Sequence, residues 1–287
     1  MKRIFIYFIA LAVTISFTAC SEELDENSVF EDPVENLNGF DVWIKNNLTV
    51  PYNIQLFYRM EDVESNLNYN LVPASYDKSV KLAVLIKHLC LDAYDEVAGR
   101  NLIPGYFPKV LSFIGSPGVN PNGTILLGMA EAGLKITLYY VNAVDLDDLA
   151  LLYEWYFKTI HHEFGHILHQ TKSYPTEFVD ISGDSYLGGS WNSSDNNNYL
   201  TKGFISQYSA NEANDDFVEL LAHYILYNEA WWNTRLSAAG SAGAARIRAK
   251  LEIVKTYMIS NWDIDIDDLR RVIQRRVSEI SQLNYNL

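Results

Sequence analysis

One stretch of the chain concentrates groups that can do chemistry: His161-His162-Glu163-Phe164-Gly165-His166-Ile167-Leu168-His169. Within it, His162, Glu163 and His166 have the spacing HExxH. On a helix, side chains four residues apart lie on one face, one turn apart, so both imidazoles can reach a single zinc ion. Glu163, next to the first histidine, can hold a water there and take its proton. Zinc lowers the pKa of such a water towards about 7, and the carboxylate completes the activation. The surrounding segment LALLYEWYFKTIHHEFGHILHQ is amphipathic, with apolar residues on a packing face. That context favours a working motif over a surface helix with incidental histidines.

A catalytic zinc usually takes three protein donors and keeps one position open. Candidates for the third are His169, Glu177 and the acidic group beyond the following loop. His169 lies seven residues past His162, about 10.5 Å along a helix axis at about 1.5 Å per residue. Three ligands spread over that length of one straight helix cannot converge, so His169 is expected behind the ligands or along a substrate groove. A longer histidine motif is excluded, because the chain reads His166-Ile167-Leu168-His169-Gln170 without the glycine turn it needs. The better source is the segment YSANEANDDFVE, which opens a new helix with Asp215 and Glu219 one turn apart on one face. Asp216, beside them, reads as a solvated residue at a helix N-terminus, where an acid suits the helix dipole.

This combination resembles the anthrax lethal factor and Pro-Pro endopeptidase group of gluzincins. There HExxH is followed by Tyr, six residues, a zinc-binding Glu, three residues and a second Glu. The same spacing here runs Tyr208, Asp215, Glu219. HEFGH with Asp215-Asp216-Phe217-Val218-Glu219 is also similar to the zinc-binding metallopeptidases among Bacteroidetes lipoproteins, encoded beside glycan-import systems, which carry HEFGH and an EDFAE-like segment. The resemblance implies a zincin-like domain with Zn2+ on His162, His166 and Asp215, Glu163 as base and Tyr208 as donor to the oxyanion. One departure matters, since Asp215 stands where Glu is usual and is one methylene shorter. Either the helix sits closer or Glu219 supplies the ligand; Asp215 is the favoured donor.

These groups need elements to position them. Residues 40–60 (FDVWIKNNLTVPYNIQLFYRM) alternate enough to suggest short strands ending near Arg59. Residues 75–98 have helical spacing, with Ser75 as N-cap and Gly99 just beyond the end. VLSFIG and TILLGMAEAGLKITLYYV are β-rich and separated by the turn sequence SPGVNPNG. A long helix over 147–170 carries the histidines, SGDSYLGGSWNSSDNNN is a loop, and three helices follow near 212–229, 241–260 and 265–281. Strands first and helices later predict an α+β fold: a small mixed sheet, the HExxH helix and a helical C-terminal part. No internal repeat or domain boundary is visible after residue 38.

The N-terminus has a separate logic. Residues 1–20 (MKRIFIYFIALAVTISFTAC) combine a basic start, an apolar stretch too short to span a bilayer comfortably, and small residues before Cys20. This resembles a bacterial lipoprotein signal with Cys20 as the lipidated residue. Residues 21–37 then form an acidic tether ahead of a domain over 38–287. An acidic run directly after the lipidated Cys resembles surface-export signals of Bacteroidetes lipoproteins. The expected location is the outer membrane, facing outwards, with a periplasm-facing anchor as the alternative. With Cys20 lipidated, Cys90 is the other of two cysteines, so no internal disulfide forms, and Cys90 reads as a buried thiol.

Composition closes off other classes. The chain has 287 residues, 48% of them hydrophobic, enough for a sizeable core. Asp and Glu outnumber Lys and Arg 36 to 22, a formal charge of −14, so no nucleic-acid partner is expected. Loss of Lys2 and Arg3 with the signal would take that to −16 (−14 minus 2). The reading is a lipid-anchored zinc metallohydrolase, a peptidase acting on peptides or glycoproteins and associated with a glycan-import outer-membrane complex. Its rival is an accessory surface lipoprotein that binds glycans or glycoproteins, using Trp191, Tyr199, Trp231 and Trp232 to stack on sugars. Intact Glu163 argues against that rival.

Overall fold

Asn38 is the N-cap of the first helix among the described residues. Its side chain accepts from the Asp41 amide at 2.9 Å, and Asp41 accepts from the Asn38 amide at 3.0 Å, a reciprocal capping box. The helix α1 (Gly39–Ile44) runs on through a π-helical segment, Lys45–Thr49, and a last turn, Val50–Tyr52, ending at Asn53 with φ of 55°. Phe40, Ile44, Leu48 and Tyr52, four residues apart, are its buried side. The strands expected here reduce to one, β1 (Gln55–Phe57), because the cap and the four-residue spacing outweigh the local alternation.

The structure, a computed structural model, describes residues 37–60, 69–119, 125–126, 128–131, 133–193 and 196–287. Cys20 and the tether up to residue 36 lie outside the described residues. Asn38–Leu287 forms one compact unit. Among the described residues, no helix is long and apolar enough to cross a membrane.

The segment read as one helix over 75–98 is α2 (Tyr76–Ile86), a π-helical turn Lys87–Leu91, and α3 (Asp92–Ala98), stopped by Gly99 at φ 77°. Ser75 holds the N-cap position, but its hydroxyl bonds the Asp77 carboxylate at 2.9 Å rather than a backbone amide. Strands β2 (Val110–Phe113), β3 (Gly118–Val119), β4 (Ile125–Leu126), β5 (Gly128–Glu131) and β6 (Lys135–Leu138) follow. The main sheet has the order β1-β2-β6-β5, with β1, β2 and β6 parallel and β5 antiparallel to β6. Its register pairs Gln55 with Val110 and Val110 with Lys135. Consecutive residues Leu111, Ser112 and Phe113 are all buried, as are Ile136, Thr137 and Leu138, which is the signature of parallel strands covered on both faces. β3 and β4 pair separately.

The helical half begins with Asp148 capping the Leu151 amide, and continues through a π-helical segment, Tyr153–Phe157, into α4 (Lys158–Thr171). Then come α5 (Glu177–Ser182), α6 (Ala213–Leu226), α7 (Glu229–Ala238), α8 (Gly240–Trp262) and α9 (Ile266–Val277). The fold is α+β, as its segment order predicts. Besides α1, the helices beyond the sequence reading include α5, the short helices Leu102–Tyr106 and Tyr199–Lys202, and α7, which Asn228 caps through the Trp231 amide. α4 and α6 cross at Gly165, where a Cβ would meet Val218 Cγ1 at 2.9 Å. Glycine at that point lets the two helices that carry the candidate ligands approach each other.

Candidate metal centre

α4 presents His162 and His166 from one face, and their Nε2 atoms lie 3.0 Å apart. α6 crosses behind and presents Asp215 from its first turn. Asp215 Oδ1 is 3.6 Å from His162 Nε2 and 3.3 Å from His166 Nε2. Among the described residues these three side chains are the group whose donor atoms converge, and Asp215 is only 5% exposed. Glu219, one turn further along α6, sits on the other side of the His162 ring, with Oε1 3.0 Å from Nδ1. It therefore faces the ring nitrogen directed away from the cluster. Glu177 is exposed at the start of α5, apart from these groups.

Each member is held by neighbours. Ser206 Oγ donates to Glu219 Oε2, and Asn211 donates to Asp215 Oδ2. His166 Nδ1 faces His169 Nε2 at 2.9 Å, so His169 stands directly behind the second histidine. The Tyr208 ring lies 5.7 Å from that of His162, and burial, together with the negative charges of Asp215, Glu219 and Glu163, pushes its hydroxyl pKa up. Glu163 is half-buried, and its charge acts on both His162 and Tyr208.

A family model described as "putative zinc-binding metallo-peptidase" matches residues 33–267. The chain belongs to that family. Its fold is similar to the crystal structure of a putative zinc-binding metallo-peptidase from Bacteroides caccae, at 38% identity and a TM-score of 0.78, covering 91% of this chain and 99% of that one. No curated protein matches.

The metallopeptidase has a donor set that fits the metal of its family. A tetrahedral zinc with bonds of about 2.0–2.1 Å separates its donors by about 3.3 Å. The three separations here, 3.0, 3.3 and 3.6 Å, bracket that value. Two imidazoles and one carboxylate leave a fourth position open, the arrangement of a catalytic rather than a structural zinc.

Electrostatics in the metallopeptidase follow from burial against pairing. Burial pulls the His162 imidazole down, but hydrogen bonds with Asp215 and Glu219 outweigh it and raise its pKa to about 9. Burial pushes the Asp215 carboxyl up, yet hydrogen bonds from His162, His166 and Asn211 hold it well below the carboxylate range. Glu219 is likewise depressed against the pull of burial, by the charge of His223 and its bond to His162. His169 is lowered to about 4 by burial and the neighbouring His166, which keeps it neutral and able to accept a proton bond from His166. His161 points the other way, into the core, between Tyr94 OH at 3.2 Å and Cys90 Sγ at 3.6 Å, and burial lowers it to about 3.

Asp216 corrects the sequence reading. It is 1% exposed, paired with the fully buried Lys250 of α8, and accepts from Tyr186 OH at 3.0 Å. The partner lies 34 residues away, so no local pattern announces it. Ser206 and Asn211 were also invisible as site residues, although a Ser-rich turn directly before an acidic helix start is a local signal for such side-chain bonding. The aromatic residues considered for sugar stacking are engaged within the fold. Trp232 is buried, Trp231 stacks on Tyr227 at 4.1 Å, and Tyr199 OH accepts from Arg235 at 3.0 Å. Trp191 instead packs edge-on against Tyr208 at 4.9 Å.

Proposed function

We propose that this metallopeptidase hydrolyses peptide bonds in the gluzincin manner, with His162, His166 and Asp215 as metal ligands. The observation that carries the reading is the approach of Asp215 Oδ1 to both histidine Nε2 atoms, at 3.6 and 3.3 Å, from a helix that crosses behind the motif. Zinc held there would acidify a water and polarise the scissile carbonyl. Glu163 takes the proton as the water attacks and returns it to the departing amine. Tyr208 donates its hydroxyl to the oxygen on which negative charge develops. Glu219 accepts from His162 Nδ1 and His169 from His166 Nδ1, which fixes both rings with Nε2 towards the metal.

The same proposal has the enzyme tethered to the outer membrane by a lipid on Cys20, working on peptides or glycoproteins beside a glycan-import complex. The lipobox ending at Cys20 and the acidic run after it support that placement. Cys20→Ala should then release the protein from the membrane fraction or leave it unprocessed.

A substrate-profiling digest tests the activity, using a peptide and glycopeptide library with and without a zinc chelator. Cleavage that the chelator abolishes and added zinc restores is expected. A protein that binds one zinc but cleaves nothing in the library would give way to the accessory-lipoprotein reading.

A further inference from the structure

Tyr208 lies in a short turn, Tyr208–Ala210, just ahead of α6, and that turn is gripped from two sides. On the inner side Ser206 Oγ receives the Ser209 amide at 3.0 Å while donating to Glu219. On the outer side lie residues 186–193, which include two glycines, and Asn196. Asn196 is fully buried, and its Nδ2 donates to the Trp191 carbonyl at 2.7 Å and the Gln207 carbonyl at 3.0 Å. Gln207 is the residue immediately before Tyr208. The amides of Leu187 and Gly188 donate to the carbonyls of Ala210 and Asn211 at 2.7 and 2.9 Å. Gly188 does this at φ 54°, a left-handed backbone that suits glycine. Tyr186 bonds Asp216, the neighbour of Asp215.

We propose that residues 186–191 and Asn196 clamp the Tyr208 turn and set its hydroxyl over the metal cluster, with Asn196 and Trp191 as positioning residues. The proposal rests on Tyr208 being the oxyanion donor. Its tethers fall on Gln207, Ala210, Asn211 and Asp216, so they flank Tyr208 and Asp215 instead of scattering over the surface. The tyrosine ring itself is wedged between His162 at 5.7 Å and the Trp191 edge at 4.9 Å. Without the indole, one side of the ring is open and the hydroxyl gains room to swing. A donor displaced by about 1 Å from a developing charge loses much of its effect, because this kind of catalysis depends on preorganised geometry.

The test uses the whole zinc-loaded enzyme and a peptide found by the profiling digest. Asn196→Ala and Trp191→Ala should each lower kcat at least tenfold, with KM and bound zinc nearly unchanged. Trp191→Phe, which keeps an aromatic edge, should recover most of the loss, and this pair carries the test if Asn196→Ala fails to fold. In a Tyr208→Phe background the Asn196→Ala loss should vanish, because the clamp acts through that hydroxyl; losses that multiply in the double variant would overturn it. Hydrogen exchange gives a second readout independent of turnover. Asn196→Ala should speed exchange at the Leu187, Gly188, Ala210 and Asn211 amides and leave α4 as it was; unchanged exchange at those four overturns the clamp. If Tyr208→Phe is impaired while Asn196→Ala and both Trp191 variants are not, the clamp alone fails. If Tyr208→Phe turns over like wild type, the oxyanion role falls and takes the clamp with it.

Discussion

Glu163 and Tyr208 should differ from the proposed metal ligands in one testable respect: neither should be needed to hold the ion. Glu163→Gln keeps size and hydrogen bonding but cannot accept the proton of the attacking water. It should retain zinc and melting temperature and lose nearly all turnover. Tyr208→Phe removes one hydroxyl, and an oxyanion donor of that kind is worth roughly 10²–10³ in rate. The loss should appear in kcat more than in KM, because the bond matures in the transition state. The two carboxylates of α6 separate by a different measurement. Asp215→Ala should abolish stoichiometric zinc, whereas Glu219→Ala frees the His162 ring to rotate and should weaken zinc by about 10–100-fold. A zinc titration of both variants decides it, and the reverse order would make Glu219 the ligand. At this scale the sequence is most informative where chemistry is local: His162, Glu163 and His166 stand out because HExxH is a helix-face spacing. Asn196 does not stand out, and Trp191 does so only as an aromatic that could stack on sugars, because the role proposed for both comes from a turn that neighbours them only after folding.

Helix α4 owes its position to one residue that is poor for helices. Glycine inside a helix costs about 1 kcal/mol relative to alanine. At Gly165 that is offset by close approach, since a Cβ would meet Val218 Cγ1 at 2.9 Å and Cβ at 3.1 Å. Gly165→Ala should therefore lose about 1–3 kcal/mol from overpacking against roughly 1 gained in propensity, and should push Asp215 away from the histidines. Calorimetry and zinc titration would show a lower melting temperature and weaker zinc, both relieved in Gly165→Ala/Val218→Ala. The other elements were legible to the degree that their ends carry chemical marks. Residues 75–98 are bounded by Ser75 and Gly99, and the observed helical segments stop at those two positions. The segment after Asn38 misled, because weak alternation in FDVWIKNN sits over a capping box and a four-residue apolar spacing that both specify helix. α7 was missed although Asn228 is a good cap, since α7 and α8 meet at Gly240 with no polar linker to mark the join. The pairing order of the strands has no local sign, although the near-continuous apolar runs around β2 and β6 suit parallel strands covered on both faces.

Across the whole molecule, α8 is joined to α6, the helix that carries Asp215, by a buried ion pair. Lys250 and Asp216 are 0% and 1% exposed in their side chains, and Gly203 O accepts a further Lys250 bond at 3.0 Å. Removing one partner of such a pair strands the other charge, so Lys250→Met should lose about 3–5 kcal/mol, read as a lower denaturant midpoint with an unchanged m-value. A metal held by the proposed ligands would have a topological effect as well as a chemical one. His166 and Asp215 stand 49 positions apart in the chain (215 minus 166), and the stretch between them includes the turn after α4, α5 and the segment around Trp191. An ion bridging these two residues closes that stretch into a ring, as a disulfide would, and a ring of that size restricts the unfolded chain by about 4 kcal/mol. Chelation opens the ring. A protease added to the chelated protein should nick the 172–212 stretch first, well before α8, and restoring zinc should protect it even in Glu163→Gln, where nothing is hydrolysed. The ion would then serve as a buckle for the segment that shapes its own cleft, in a domain whose described residues hold a single cysteine, Cys90, which is buried.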